Sequence, residues 1–287
     1  MAVAGNFLQP LERSCFSSQS CRATNPAGQI LTSNSNEMPF TFAHPAAILP
    51  FKVFPARWRS MTGLVIGSIA PDFEKFLWLR SFPFDAYSHT WQSIFYFNLP
   101  LGLLLAFLFH RVVRDVLVEN LPAFLRVRLR GLGPGSWHTY FRQRYAIVVG
   151  SVLVGSATHI AWDAFTHLDG RGTKLFPVLL KKVTIGGHGW ELFNLLQLGS
   201  SVAGLLLVFL ALVRLPKAEG RKGVKNGSIL YWSMFTFVAA LAASLRVCSG
   251  YPLQTLSNLA ILLIAAGLFS LLVTSFLFSR RKTTPVV

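Results

Sequence analysis

From residue 92 onward the chain is a succession of long apolar runs separated by polar stretches. Five runs, residues 92–113, 145–165, 192–213, 229–248 and 253–278, are each close to the ~20 residues that an α-helix needs to cross a ~30 Å hydrocarbon core. The pattern predicts an all-α, polytopic membrane bundle of about five transmembrane helices. Ahead of them, residues 39–84 carry only short apolar pieces, 43–49 and 61–70, parted by the basic stretch 52–59. Pro45, Pro50, Pro55 and Pro71 interrupt any continuous helix, because proline lacks the N–H and its ring clashes with the preceding turn. Gly63, Gly67, Ser68 and Ala70 are small enough to let helices approach closely. This region predicts short helices lying in the membrane interface or dipping into it, with Asp72 and Glu74 at a helix end or turn.

Residues 1–37 follow another pattern. They are rich in Ser, Asn, Gln and Gly and contain no run resembling a signal-peptide core. Residues 25–37 read as disorder, and apolar, motif-bearing sequence begins abruptly at Met38. The segment reads either as a mobile leader or as the product of a start assigned too early, with Met38 the initiator. The abrupt change favours the second. Residues 38–287 then form a single membrane helical domain.

Composition agrees with the membrane reading. The chain of 287 residues is 52% hydrophobic and 13% charged, where a soluble domain carries about 25% charge. Its net charge of +16 suggests nucleic acid until its placement is considered. Arg111 closes the first span, and Arg114, Arg126, Arg128, Arg130, Arg142 and Arg144 fall between it and the second. Arg214, Lys217, Arg221, Lys222 and Lys225 follow the third, and Arg280, Arg281 and Lys282 end the chain. Five antiparallel spans put these three regions on one side, which the positive-inside rule makes cytoplasmic, the C-terminus included. Membrane lipid headgroups, not nucleic acid, are the partners these charges imply, and no nucleic-acid reading module is present. Cys15, Cys21 and Cys248 have neither disulfide-framework nor metal spacing.

Candidate chemistry is concentrated in the second span. His159, Asp163 and His167 recur every four residues and share one face of a helix. A carboxylate at membrane depth costs roughly 3 kcal/mol on insertion scales, so Asp163 needs a partner. Two imidazoles beside it suggest a metal ion, or else a hydrogen-bonded cluster joining helices. His44, Asp72 and His89 precede the first span and can reach the same membrane side as His167. The candidate ligands are therefore His44, Asp72, His89, His159, Asp163 and His167, for a divalent metal with zinc first and iron, manganese or nickel as alternatives. Six exceed the three that a catalytic zinc takes, so they imply either two metals or partners that orient the ligands. Glu74 is a candidate general base, Asp163 a second catalytic residue, and Ser88, Thr90 and Thr166 candidate orienting hydroxyls. His110 and His138 fall on the opposite, basic side, while His188 and Glu191 belong to a loop on the correct side.

The motifs MPFTFAHPAAILP, GLVIGSIAPDFEKF, YSHTW, NLPLGLLLAFLFH, GSATHIAWDAFTH and NLLQLGSSVAGLLL occur in that order over residues 38–207. Together they resemble a bacterial membrane family, the domain of unknown function 4184, in which the two C-terminal spans (229–278) are variable. That family is in turn distantly similar to inner-membrane proteins described as metal-dependent hydrolases. Those share an early His, a Pro-Asp turn, a His before a span and a membrane His-x3-Asp pair. The resemblance implies roles for His44, Asp72, His89, His159 and Asp163 and a bacterial inner (plasma) membrane location. Those proteins often carry an Asp where this chain has Glu74. The first functional reading is a metal-dependent hydrolase working at the membrane interface on a phosphoester or lipid-linked substrate. Its rivals are a noncatalytic membrane scaffold and a transporter or proton relay. Residues 145–156, which carry no acid or histidine, count against a relay.

Overall fold

A computed structural model describes residues 22–24, 30–32, 41–79, 87–132, 135–168, 170–218 and 227–281. Most of the leader, Arg80, the basic loop residues Arg221, Lys222 and Lys225, and Lys282 lie outside the described residues. The chain divides into two compact units, Met1–Ser35 and Asn36–Val287. In the first, strands β1 (Arg22–Thr24) and β2 (Ile30–Thr32) pair antiparallel, with Ala23 opposite Leu31.

The second unit is the helical bundle. Among the described residues, four helices are long and apolar enough to cross a membrane. The first run expected to span, residues 92–113, is helical but segmented. Before it come two short helices, α1 (Met61–Ile69) and α2 (Phe73–Trp78). A π-helix, Ile94–Asn98, leads into α3 (Leu99–Leu108), and a second, Phe109–Val113, leads into α4 (Arg114–Asn120). Pro100 supplies the reason for the first π turn. It has no N–H to donate to the preceding turn and its ring crowds that turn's carbonyl, and the wider spacing, with Leu99 N–H on Ile94 O, accommodates it. Helix α5 (Ala123–Leu129) follows, and Arg128 Nε donates to Val213 O at 2.8 Å.

The region before the first span follows the second of the two expected arrangements, short helices that dip into the bundle. The 3-10 turns Thr41–Ala46, Leu49–Val53 and Ala56–Trp58 precede α1, and a 3-10 turn Ala70–Asp72 joins it to α2. Helix α1 lies along the long spanning helix α6 (Trp137–Thr166) instead of on a surface. Its cap Ser60 bonds Ser151 Oγ, Gly67 O accepts from Ser156 Oγ, and Ser68 O meets His159 Nδ1, so the two helices run parallel. Glycine makes this approach possible: a Cβ at Gly67 would sit 2.3 Å from Val152 O, and one at Gly155 2.3 Å from Leu64 O. The chain ahead of α1 passes the other way. Arg144, at a bend in α6, donates to Ala56 O and lies about 28 Å along the helix from Asp163 at ~1.5 Å per residue. His44, by contrast, stacks on His159. Residues 44–72 thus run from the level of Asp163 to the basic end of α6 and return through α1. The path is re-entrant, which leaves His44 and Asp72 at one level.

Helix α7 (Arg171–Leu175) and the exposed hairpin β3 (Lys182–Ile185) and β4 (His188–Glu191) connect α6 to α8 (Leu192–Val213). Gly204 of α8 seats Ala43, where a Cβ would meet Ala43 O at 3.0 Å. Helices α9 (Gly227–Cys248) and α10 (Leu256–Arg281) form an antiparallel pair, joined by Tyr231 Oη to Ser275 Oγ and by Ser270 Oγ to Phe235 O. Leu206 and Phe209 of α8, Phe237 and Leu245 of α9 and Leu263 of α10 are exposed, as hydrocarbon-facing side chains are. The chain is an all-α membrane bundle.

Candidate metal centre

Asp72, His89, His159 and Asp163 converge, each offering one ligand atom within 4.8 Å of the others, and all four are buried. Three separate pieces of chain deliver them. The Pro71-containing turn after α1 presents Asp72. Helix α6 presents His159 and Asp163, one turn apart on a single face. The loop before the first π-helix presents His89.

That loop is held from several directions at Ser88. The Ser88 amide donates to Glu74 Oε2 at 2.8 Å, while Ser88 O accepts from Asn98 Nδ2 at 3.0 Å and from Ser93 Oγ at 2.7 Å. Ser88 Oγ then meets His89 Nδ1 at 2.7 Å. His159 Nδ1 lies 2.7 Å from Ser68 O. A carbonyl can only accept, so Nδ1 carries a proton, and whenever the ring is neutral Nε2 has a lone pair free for a metal. That Nε2 is buried without a hydrogen bond, although Asp163 Oδ2 is 3.2 Å away.

The spacing fits a cation. His159 Nε2–Asp163 Oδ2 is 3.2 Å, His89 Nε2–Asp72 Oδ1 3.5 Å, His89 Nε2–Asp163 Oδ2 3.6 Å and His159 Nε2–Asp72 Oδ1 3.8 Å. Metal–ligand bonds of about 2.0–2.1 Å place neighbouring ligand atoms roughly 3–3.5 Å apart, close to these separations. Two carboxylates also balance the charge of a divalent ion, and imidazole with carboxylate suits several such metals. The buried His/Asp group can hold a metal ion.

Burial works to raise the Asp72 carboxyl, but Lys75 and the neighbouring imidazoles hold it well below the usual carboxylate range. Burial lowers His89, and it pushes His44 down to about 3 with help from the charge of His159. Neutral imidazole and ionised carboxylate are the forms that ligate metals.

The other expected site residues stand around this group. His44 stacks on His159 with ring centroids 3.8 Å apart, and its Nε2 is 3.5 Å from Asp163 Oδ1. His167 Nδ1 is 3.9 Å from that same oxygen, and its Nε2 is 3.5 Å from Gln197 Nε2. Both histidines face the oxygen of Asp163 that points away from His89 and His159. Glu74 is buried but engaged with the Ser88 amide, and it is not among the four converging groups. Of the hydroxyls, Ser88 touches His89 and Thr166 lies 3.3 Å from His167 Nδ1, whereas Thr90 Oγ1 accepts from the Ser93 amide. His110 stacks on Trp137 away from the group, and His138 and His188 are exposed.

Three contributors were missed by sequence reasoning. Thr41 Oγ1 donates to Asp72 Oδ2 at 2.6 Å, Lys75 Nζ lies 2.8 Å from Asp72 Oδ1, and Ser68 supplies a carbonyl. The i,i+3 spacing of Asp72 and Lys75 was a usable signal. The other two left none.

A family model for a domain of unknown function (DUF4184) matches residues 38–276. The chain belongs to the DUF4184 family. No curated protein and no solved structure matches the chain. The DUF4184 match takes in all four converging side chains and continues beyond the motif series through α9 and most of α10.

Proposed function

We propose that this DUF4184 chain is a metal-dependent hydrolase acting at the membrane interface on a phosphoester or lipid-linked substrate. The observation that carries the reading is the buried pair of imidazoles and pair of carboxylates, whose nitrogens and oxygens lie 3.2–3.8 Å apart around one point. Zinc is the first metal to test, since its bonds suit those separations and imidazole and carboxylate are among its ligands. A divalent cation held there would lower the pKa of a water toward ~7 and polarise the bond to be broken.

The chain's own residues divide the remaining work. Asp72 and Asp163 balance the cation's charge, and the Ser68 carbonyl sets the tautomer of His159. Glu74 positions His89 by gripping the Ser88 amide. His44 and His167 flank the second oxygen of Asp163, which leaves Oδ2 as the oxygen turned toward the cation. The location follows the charge pattern: the basic loops and the C-terminus face the cytoplasm of a bacterial inner membrane, and the site lies toward the other face.

Metal analysis of detergent-purified full-length protein tests the reading. One equivalent of metal per chain is expected, with chelator-sensitive release of phosphate from phosphoester lipids. Protein that takes up no metal on reconstitution overturns it. The scaffold reading draws on the cross-links Thr41–Asp72 and His159–Ser68. It predicts that Asp163→Ala unfolds a chain that never held metal, whereas the hydrolase reading predicts a folded chain that has lost it.

A further inference from the structure

Lys75 stands against the converging group. It lies three residues after Asp72, and its Nζ reaches Asp72 Oδ1 at 2.8 Å with its side chain only 13% exposed. The same oxygen lies 3.5 Å from His89 Nε2 and 3.8 Å from His159 Nε2. A metal between those nitrogens and the Lys75 ammonium therefore draw on one carboxylate oxygen. The other oxygen already accepts from Thr41 at 2.6 Å, which leaves the Lys75 ammonium and a metal side by side at Oδ1. Two cations on one oxygen repel each other, strongly where water is scarce. An anion placed against both turns the repulsion into attraction, and tetrahedral oxyanions present several oxygens for that purpose.

We propose that Lys75 and the metal site together form an oxyanion receptor, in which Lys75 contacts an outer oxygen of a phosphoryl-type group lying on the metal. The inference rests on the metal reading above and adds the charge class of the substrate and the residue that recognises it. Binding linkage is reciprocal, so phosphate must tighten metal binding as much as metal tightens phosphate binding. Replacing Lys75 removes a competing cation along with the anion contact. Metal alone then binds at least as tightly as before, while phosphate loses its effect. An ion pair with a purely structural role has the opposite signature, since its loss loosens Asp72 and weakens metal binding with or without phosphate.

The experiment is a Co2+ titration of the full chain in detergent, followed by visible absorption, with and without inorganic phosphate. Wild type, Lys75→Met and Lys75→Arg are compared, with Lys75→Gln replacing the methionine variant if that one does not fold. Wild type is expected to bind Co2+ at least about 5-fold more tightly in phosphate, the lower end of ordinary couplings. Lys75→Met is expected to show no phosphate effect and undiminished affinity for Co2+ alone, and Lys75→Arg to recover part of the effect. Repeating the titration with short-chain phosphatidate in mixed micelles separates a lipid headgroup from a soluble phosphoester as the source of the anion. The larger coupling identifies the source. Equal tightening by phosphate in wild type and Lys75→Met, no tightening in wild type, or weakened Co2+ binding in Lys75→Met overturns the receptor. Failure of wild type to bind Co2+ at all overturns the metal centre itself, a different result.

Discussion

Asp163 uses both of its oxygens, Oδ2 toward His159 and His89 and Oδ1 toward His44 and His167. Asp163→Asn keeps the shape and removes the charge, so it is expected to retain the fold and lose most of the bound metal. Metal content measured on protein of matched elution profile checks this. Thr41→Val deletes the hydroxyl that anchors Asp72 and should weaken metal affinity by about 10–100-fold, the usual effect of removing a ligand's supporting hydrogen bond. His167→Ala, outside the four, should leave metal content near wild type in the same assay. The His159–Asp163 ridge was legible because helical spacing alone places those residues together. That His44 and His167 flank the group without entering it was not legible. The distinction is a few ångströms of side-chain placement, and it depends on α8 seating Ala43 and on the end of α6 turning at His167. The Ser68 contribution was invisible for another reason: it comes from a backbone carbonyl, which every residue type possesses.

At the scale of elements, the contact between α1 and α6 carries the site, because Asp72 leaves the end of α1 and His159 bonds the carbonyl of Ser68. Gly67→Ala puts a methyl 2.3 Å from Val152 O, where backbone on both sides leaves little room to yield. Overpacking of this kind costs about 1–3 kcal/mol, and here it also separates the metal ligands. The variant should melt at lower temperature in detergent and bind metal more weakly. Gly150, on the same α6 helix, has nothing within 4 Å of the place a Cβ would take, so Gly150→Ala should instead gain up to about 1 kcal/mol from helix propensity. Thermal melts of the two variants beside wild type decide the matter, and equal effects would sink the close-packing account. The small residues that permit this contact were visible in the sequence, but their partner was not. A short apolar helix of nine residues is too short to span, and only the facing Gly155 and Ser151 on α6 reveal that it packs upright. The first π turn of that span likewise rests on one residue, Pro100, whose effect depends on whether the helix breaks or widens.

For the molecule as a whole, the re-entrant path brings residues 52–59 to the basic end of α6, so Lys52, Arg57 and Arg59 join the charged face. The fold class was legible from hydropathy, while the depth of the early segment needed the contacts. That burial has a consequence for pH. His44 is buried against His159, Asp163, Asp72 and Lys75, and its imidazole falls from an ordinary 6.5 to about 3 through burial first and the charge of His159 second. Between pH 3 and 6.5 the unfolded chain binds a proton at His44 that the folded chain does not. Unfolding then takes up a proton, so stability rises with pH across this window and falls on acidification, by at most about 1.4 kcal/mol per pH unit for one such group. Asp72, depressed below its ordinary 3.8, is ionised in both states between about pH 5 and 7 and adds no slope there. Metal-stripped wild type should thus lose more melting temperature between about pH 7 and 5 than His44→Phe, which has no proton to bind at that position. Tryptophan-fluorescence melts of both proteins in one detergent measure the difference. Parallel pH profiles would show that His44 is solvated in the folded state and does not lie against His159.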